Sequence, residues 1–362
     1  MSEIKDLLKT KIKPDKDALK ANLLRKATPK RVFCMELFED PEIKAEVCRI
    51  YGVGNDLDPA DPHCALRREI LVQRFLGYDA VASGVEGIAF SHTSTPAPDT
   101  VEGTQKRPER NWLEEHRGPI ATWEEFEKYP WPDTAKITTT TLEWYSKNLP
   151  DDMCIYAGCH SVFENVTWLM GYETLCYAIF DQPDLVDAMF QKIGGILHEV
   201  AKVLVQFPRV EIMFGGDDMG YKTGTMIRAS VLKEKLFPWH KKMARLAHDN
   251  GKLYLLHACG NLGEVMEALI EDVKLDGKHS FEDAIEPLPV AKKRWGGRIA
   301  IIGGVDVDLL CRGTEEQIRS KVREVVRACQ PGGGFCLGSG NTVANYVPLK
   351  NYLIMLDEGR KC

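Results

Sequence analysis

Short apolar runs alternate with longer amphipathic stretches along most of this chain, and the two periods predict different elements. RVFCMEL (31–37), MCIYAG (153–158), VEIMFG (210–215), KLYLLHA (252–258), RIAIIGG (298–304) and GFCLGSG (334–340) read as strands, with a short one in KLDGKH. Between them lie helical patterns near 40–51, 62–77, up to about 206, 230–250, GEVMEALIEDV, EPLPVAKKRW, TEEQIRSKVREVVRAC and 348–358. Gly251 is placed to stop one helix and Thr314 to cap another. Strands that alternate with helices and are apolar on both faces imply a parallel α/β sheet. The number of units suits a (β/α)8 TIM barrel better than a smaller doubly wound sheet. We expect one domain over 1–362, with a polar helical extension at 1–30. The proline-bearing, charged stretch within 91–132 is expected to be an insertion over the barrel mouth.

Composition narrows the setting. A hydrophobic content of 44% with 28% charged residues is that of a globular protein. A net charge of −6 argues against nonspecific nucleic-acid binding, which needs a basic surface. No uninterrupted apolar stretch reaches the length of a membrane span. The first residues, MSEIKDLLKTKIKPDKDALK, are charged throughout and lack a signal-peptide core. Eleven scattered cysteines then read as reduced thiols in a cytoplasmic protein.

In a barrel the active site lies at the C-terminal ends of the strands. Glu36, Cys159, His160, Asp217, Asp218, His257, Cys259, Lys278, His279, Asp306 and Cys336 all fall at or near predicted strand ends. His257-x-Cys259 places both side chains on one face of an extended chain. Imidazole and thiolate are ligands that zinc prefers, and three ligands without a fourth suggest a catalytic ion. The alternative is that a cysteine here is a small buried hydrophobe. Asp217 and Asp218 are candidates for general acid/base work or a fourth ligand, against a structural cap. Adjacent residues of a strand point opposite ways, so Cys159-His160 is a poor ligand pair, and His160 is kept only as a pocket residue. Glu36, Asn261, Asp306 and Asn341 are candidate substrate contacts. Glu164, at a helix start, reads as a partner of the helix dipole.

At HACGN, IGGVDVDLL and PGGGFCLGSGN the chain resembles the uroporphyrinogen decarboxylase superfamily, with support from FENVTWLMGYETL (163–175) and FGGDDMGYKTG (214–224). The resemblance implies a (β/α)8 barrel. True decarboxylases of the family use no metal and carry an arginine-rich segment near the N-terminus and Asn-Leu-Gly-His-Gly at the last strand. This chain lacks the former and has Cys336-Leu337-Gly338-Ser339-Gly340 at the latter. Its His-x-Cys followed far downstream by a cysteine instead resembles the zinc-dependent corrinoid methyltransferase branch. That resemblance implies His257, Cys259 and Cys336 as Zn2+ ligands. It also implies methyl exchange between a small methylated compound and the cobalt of a corrinoid (cobalamin). No Asp-x-His-x-x-Gly corrinoid motif is present, so the corrinoid is expected on a partner protein. An aryl methyl ether is the favoured donor, because phenolate leaves more readily than alkoxide. Transfer from a methylcorrinoid to a thiol or tetrahydrofolate is the alternative, and a decarboxylase-like lyase the second. A noncatalytic binding barrel is a further class, and homodimer formation is left open.

Overall fold

The computed structural model describes residues 3–101, 106–107, 109–159 and 161–362. Its strands are β1 (Ala80–Ser83), β2 (Ser94–Pro98), β3 (Glu109–Leu113), β4 (Cys154–Gly158), β5 (Val210–Gly216), β6 (Gly220–Tyr221), β7 (Gly224–Thr225), β8 (Leu253–His257), β9 (Gly277–His279), β10 (Ala300–Val305) and β11 (Phe335–Ser339). Seven of them form one parallel sheet in the order β1-β4-β5-β8-β9-β10-β11, with helices between successive strands. The sheet curls on itself. Side chains from both edges, Ala80 of β1 and Cys336 of β11, share one interior cluster with Cys154, Ile212, Phe214, Leu253, Leu255, Ala300 and Ile302. The intervening positions Ile155, Met213, Tyr254, Leu256, Ile301, Phe335 and Leu337 pack outward against the helices. This is the α/β barrel architecture expected from the alternation of elements.

The predicted first strand is only partly a strand. Residues 33–37 serve as the eighth stave against β11, through Leu337 N–H to Phe33 O (2.8 Å) and Met35 N–H to Leu337 O (3.0 Å). The segment then peels away, and the Glu36 side chain takes over the ladder. Its carboxyl accepts from Ser339 N–H at 2.8 Å and from Ser339 Oγ–H at 2.6 Å. A Cβ at Gly338 would stand 2.2 Å from Met35 O, so glycine is what permits this approach. Among the described residues no backbone ladder joins 33–37 to β1. That seam is held by the Arg31–Asp79 ion pair and by Tyr156 Oη–H donating to Leu37 O (3.2 Å).

The N-terminal end of the barrel is closed by the helix Lys16–Leu23. Leu19 and Leu23 are buried in the interior cluster, each contributing about 1.5–3 kcal/mol. The stretch 230–250 is not one regular helix. A π-turn, Leu232–Leu236, precedes the helix Phe237–Asp249. Pro238 supplies no N–H and its ring crowds the carbonyl four residues back, which accounts for the shifted bonding. The expected terminators hold. Gly251 adopts φ +68°, and Thr314 forms a capping box with Gln317. The hairpin β2–β3 is tied down by Arg110 to Asp99 and by Asn345 Nδ2–H to Asp99 Oδ2 (2.8 Å). No described helix is long and apolar enough to cross a membrane.

Burial pushes the Glu36 carboxyl from the ordinary 4.5 up to about 8, against the two Ser339 donors. A raised folded value means the stabilising state is the neutral acid. The seam is therefore strongest below about pH 4 and weakens as pH rises toward 8. Glu36→Gln mimics the neutral acid. In urea unfolding it should match the wild type at pH 4 and exceed it by about 2 kcal/mol at pH 8 to 9.

Candidate functional site

Side-chain parity along β5 decides the fates of two adjacent aspartates. Ile212 and Phe214 face the barrel interior, and counting on in twos brings Asp218 to the mouth and Asp217 to the helix layer. Asp217 is fully buried there. It accepts from Val162 N–H and Glu164 N–H, both at 3.0 Å, at the start of the helix Val162–Met170. His240 Nε2 lies 2.9 Å from its other flank, and His240 Nδ1 is 2.8 Å from Tyr254 Oη. The cap that sequence reasoning weighed against a catalytic role is what the structure shows for Asp217.

Asp218 meets His257 and Cys259. Counting inward from Leu253 and Leu255, His257 is the last interior-facing residue of β8, and Cys259 follows two positions on. His257 Nε2 lies 3.3 Å from Asp218 Oδ1 and 3.4 Å from Cys259 Sγ. The Cys259 N–H donates to Asp218 Oδ1 at 2.8 Å. One ligand atom from each of the three residues lies within 4.8 Å of the other two. The Cys259 loop is set by backbone contact with β6. Gly260, at φ +81°, approaches Gly220 so closely that a Cβ would stand 2.1 Å from its carbonyl carbon. Asn261 N–H also donates to Tyr221 O at 2.7 Å.

Burial disfavours the Asp218 anion, yet His257 and Cys259 outweigh it and hold the carboxyl down at about 2. Burial and the Asp218 charge push the Cys259 thiol up to about 12. Without a cation the thiol is neutral and the carboxylate charged. Asn341 Nδ2–H points at Cys259 Sγ (3.2 Å), and Ser280 Oγ lies 3.7 Å from it while donating to Gly340 O. Ser280 holds φ +80°, a costly conformation for a residue with a side chain.

The other predicted residues fall elsewhere. Cys336 is not with His257 and Cys259, as the resemblance implied. It is the second residue of β11, fully buried in the interior cluster near the closed end, where Asn22 Nδ2–H points at its Sγ (3.6 Å). In a barrel the strands are tilted, so positions level in the hydrogen-bond register sink along the axis from strand to strand. Glu36 is spent on Ser339. Asp306 caps the helix Val307–Arg312 through Asp308 N–H. Asn261 caps its own turn through Gly263 N–H and lines a cavity of about 240 Å3 beside the loop, with Lys278, Ser280 and Glu282. His160 lies outside the described residues.

Three residues near the site were not among the predicted contacts. His279, on β9 in register with His257, has its Nδ1 2.8 Å from His257 Nδ1. Lys278 is buried, donates to Ala258 O (3.0 Å) and Ser280 O, and is pushed down to about 8 by desolvation. Glu164 is pushed up to about 8 by burial, with Asp217 and Asp218 adding to the effect, and accepts from Ser161 Oγ–H. The sequence places Lys278 and His279 at the end of the short strand KLDGKH, but without a catalytic, metal or substrate role.

Two aspartate variants separate the roles. Asp217→Asn leaves an amide NH2 against helix amides and His240, and should cost about 2–3 kcal/mol in chemical unfolding. Asp218→Asn, at the open mouth, should cost less than about 1 kcal/mol.

The profile of the family described as Uroporphyrinogen decarboxylase (URO-D) matches residues 114–362. No curated protein matches the chain. Among solved structures, a methyltransferase from Methanosarcina mazei superposes with a TM-score of 0.66 at 14% identity, over 98% of each chain. That likeness speaks for the fold. A putative vitamin-B12 independent methionine synthase from Listeria monocytogenes gives 0.45 at 13% identity over 90% of this chain and 95% of that one. A xylose isomerase-like TIM barrel protein from Mycobacterium smegmatis gives 0.37 at 11% identity over the whole of both. The matched span takes in the sheet from β4 to β11 and every residue of the Asp218–His257–Cys259 cluster, and the chain belongs to the uroporphyrinogen decarboxylase family.

Proposed function

We propose that this protein is a zinc-dependent methyltransferase that exchanges a methyl group with the cobalt of a corrinoid carried by a partner protein. The observation that carries the reading is the convergence of one carboxylate, one imidazole and one thiol at the barrel mouth. Oxygen, nitrogen and sulfur donors in a group of three fit a catalytic zinc site with a position left for substrate. Asp218 therefore takes the place that the resemblance gave to Cys336. The superposing Methanosarcina mazei protein is described as a methyltransferase, so this fold is one on which methyl transfer is carried out.

Zinc held by these residues would supply Lewis acidity, stabilising a departing phenolate or an incoming thiolate. The chain's own residues do the rest. Asp218 remains ionised and offers its charge to a cation. Asn341 presents an N–H to the Cys259 sulfur, favouring its thiolate. Glu164 is kept protonated at neutral pH by burial, with the Asp217 and Asp218 charges adding to the effect, and is a nearby group able to hold a proton. Asn261 and Ser280 border the cavity of about 240 Å3, room for a small substrate. We favour a small methylated donor, an aryl methyl ether first. Transfer to a thiol or tetrahydrofolate runs through the same residues in the other direction.

Elemental analysis of protein purified without chelator should find about one zinc per chain. Cys259→Ser and His257→Ala should lower zinc occupancy at least tenfold, whereas Cys336→Ala should retain it and lose only about 1–2 kcal/mol of stability. Zinc lost from Cys336→Ala, with Asp218→Asn unaffected, would return the third ligand to Cys336. Incubation with cob(I)alamin and a panel of methoxyaromatics, methylamines, methanol and methyl thiols should give the methylcobalamin spectrum with at least one donor. Demethylation of methylcobalamin by a thiol or reduced folate alone would reverse the direction. Full activity in metal-free protein would sink the reading.

A further inference from the structure

His257 has two ring nitrogens and both are engaged. Nε2 faces Asp218 and Cys259, and Nδ1 faces His279 Nδ1 across 2.8 Å. A contact this short between two nitrogens requires one hydrogen between them. Both rings are buried, and the Ser339 backbone carbonyl is a hydrogen-bond partner of the His279 ring. The register pair His257–His279 on adjacent parallel strands fixes the contact, and the rings lie 5.0 Å apart at 34°.

Two proton arrangements satisfy this pair. In the first, His279 Nδ1–H donates to His257 Nδ1, and His257 Nε2–H donates toward Asp218 and Cys259. In the second, His257 Nδ1–H donates to His279 Nδ1, and the His257 Nε2 lone pair faces the Asp218 carboxylate. Each ring carries one proton in both. The second puts a lone pair against an anion and is favourable only with a cation between them. It also places the His279 proton on Nε2.

We infer that His279 is the positioning residue that fixes which nitrogen of His257 is free, accepting His257 Nδ1–H whenever Nε2 ligates a cation. The inference rests on the proposed metal site. It assigns a residue outside the ligand set to the control of that site. A ligating histidine gains basicity and a fixed orientation from such an acceptor, and its loss typically weakens metal binding 10–100-fold.

The test is cobalt(II) titration of the full-length, metal-depleted protein, read by the cobalt–thiolate absorption. His279→Phe removes the acceptor and should raise the cobalt dissociation constant 10–100-fold. His279→Asn returns an acceptor near the Nδ1 position and should bring it back to within about threefold of wild type. Equal binding by His279→Phe and wild type overturns the inference and leaves the metal site standing. Failure of the wild type to bind cobalt overturns the metal site and the inference with it. Should His279→Phe not fold, histidine-selective 15N spectra of zinc-loaded wild type decide. Protonation at His257 Nδ1 and His279 Nε2 is expected, and protonation at His279 Nδ1 overturns the inference.

Discussion

Alternation of side chains across a parallel barrel wall is the constraint on which the rest of this structure depends. A strand residue faces either the interior or the helix layer, and a shift of one position reverses the choice. Ile212, Phe214, Leu253 and Leu255 fill the interior, and the same parity, carried four residues past Phe214 and two past Leu255, delivers Asp218 and His257 to the mouth. Asp217 and Lys278 have the opposite parity. One is consumed capping a helix and the other serves backbone carbonyls. Chemistry and architecture are thus interleaved residue by residue along the same strands.

The electrostatics of the mouth follow from that placement. One carboxylate stays ionised because an imidazole and a backbone amide face it. A neighbouring carboxyl, that of Glu164, stays neutral because burial and then the Asp217 and Asp218 charges oppose another one. Such a divided pair of acids, beside a buried thiol, is what a site needs if it is to bind a cation and also keep a proton in reserve.

The sequence made the elements legible where periodicity was strong and terminators were explicit, as at Gly251 and Thr314. It made His257, Cys259, Asp218 and Asn341 legible because they sit at or just past strand ends. It did not reveal that Cys336, one of three ligands in the family pattern, stands low in the barrel. Its position depends on strand tilt, a property of the closed sheet rather than of any local run. Residues 33–37 read as an ordinary strand because nothing in RVFCMEL shows that a glutamate side chain will replace the backbone after Met35. The His257–His279 contact is likewise a product of register between strands about twenty residues apart in sequence.

The seam between residues 33–37 and β11 joins groups 303 positions apart. On the ribosome, the first stave emerges long before its partner is synthesised. Until β11 appears, Phe33, Met35 and the rest of the interior cluster lack one wall, and the edge of β10 stays open to strands of other chains. Closure must therefore be among the last events of synthesis, and the nascent chain's exposure to aggregation is set by the time needed to translate nearly its whole length.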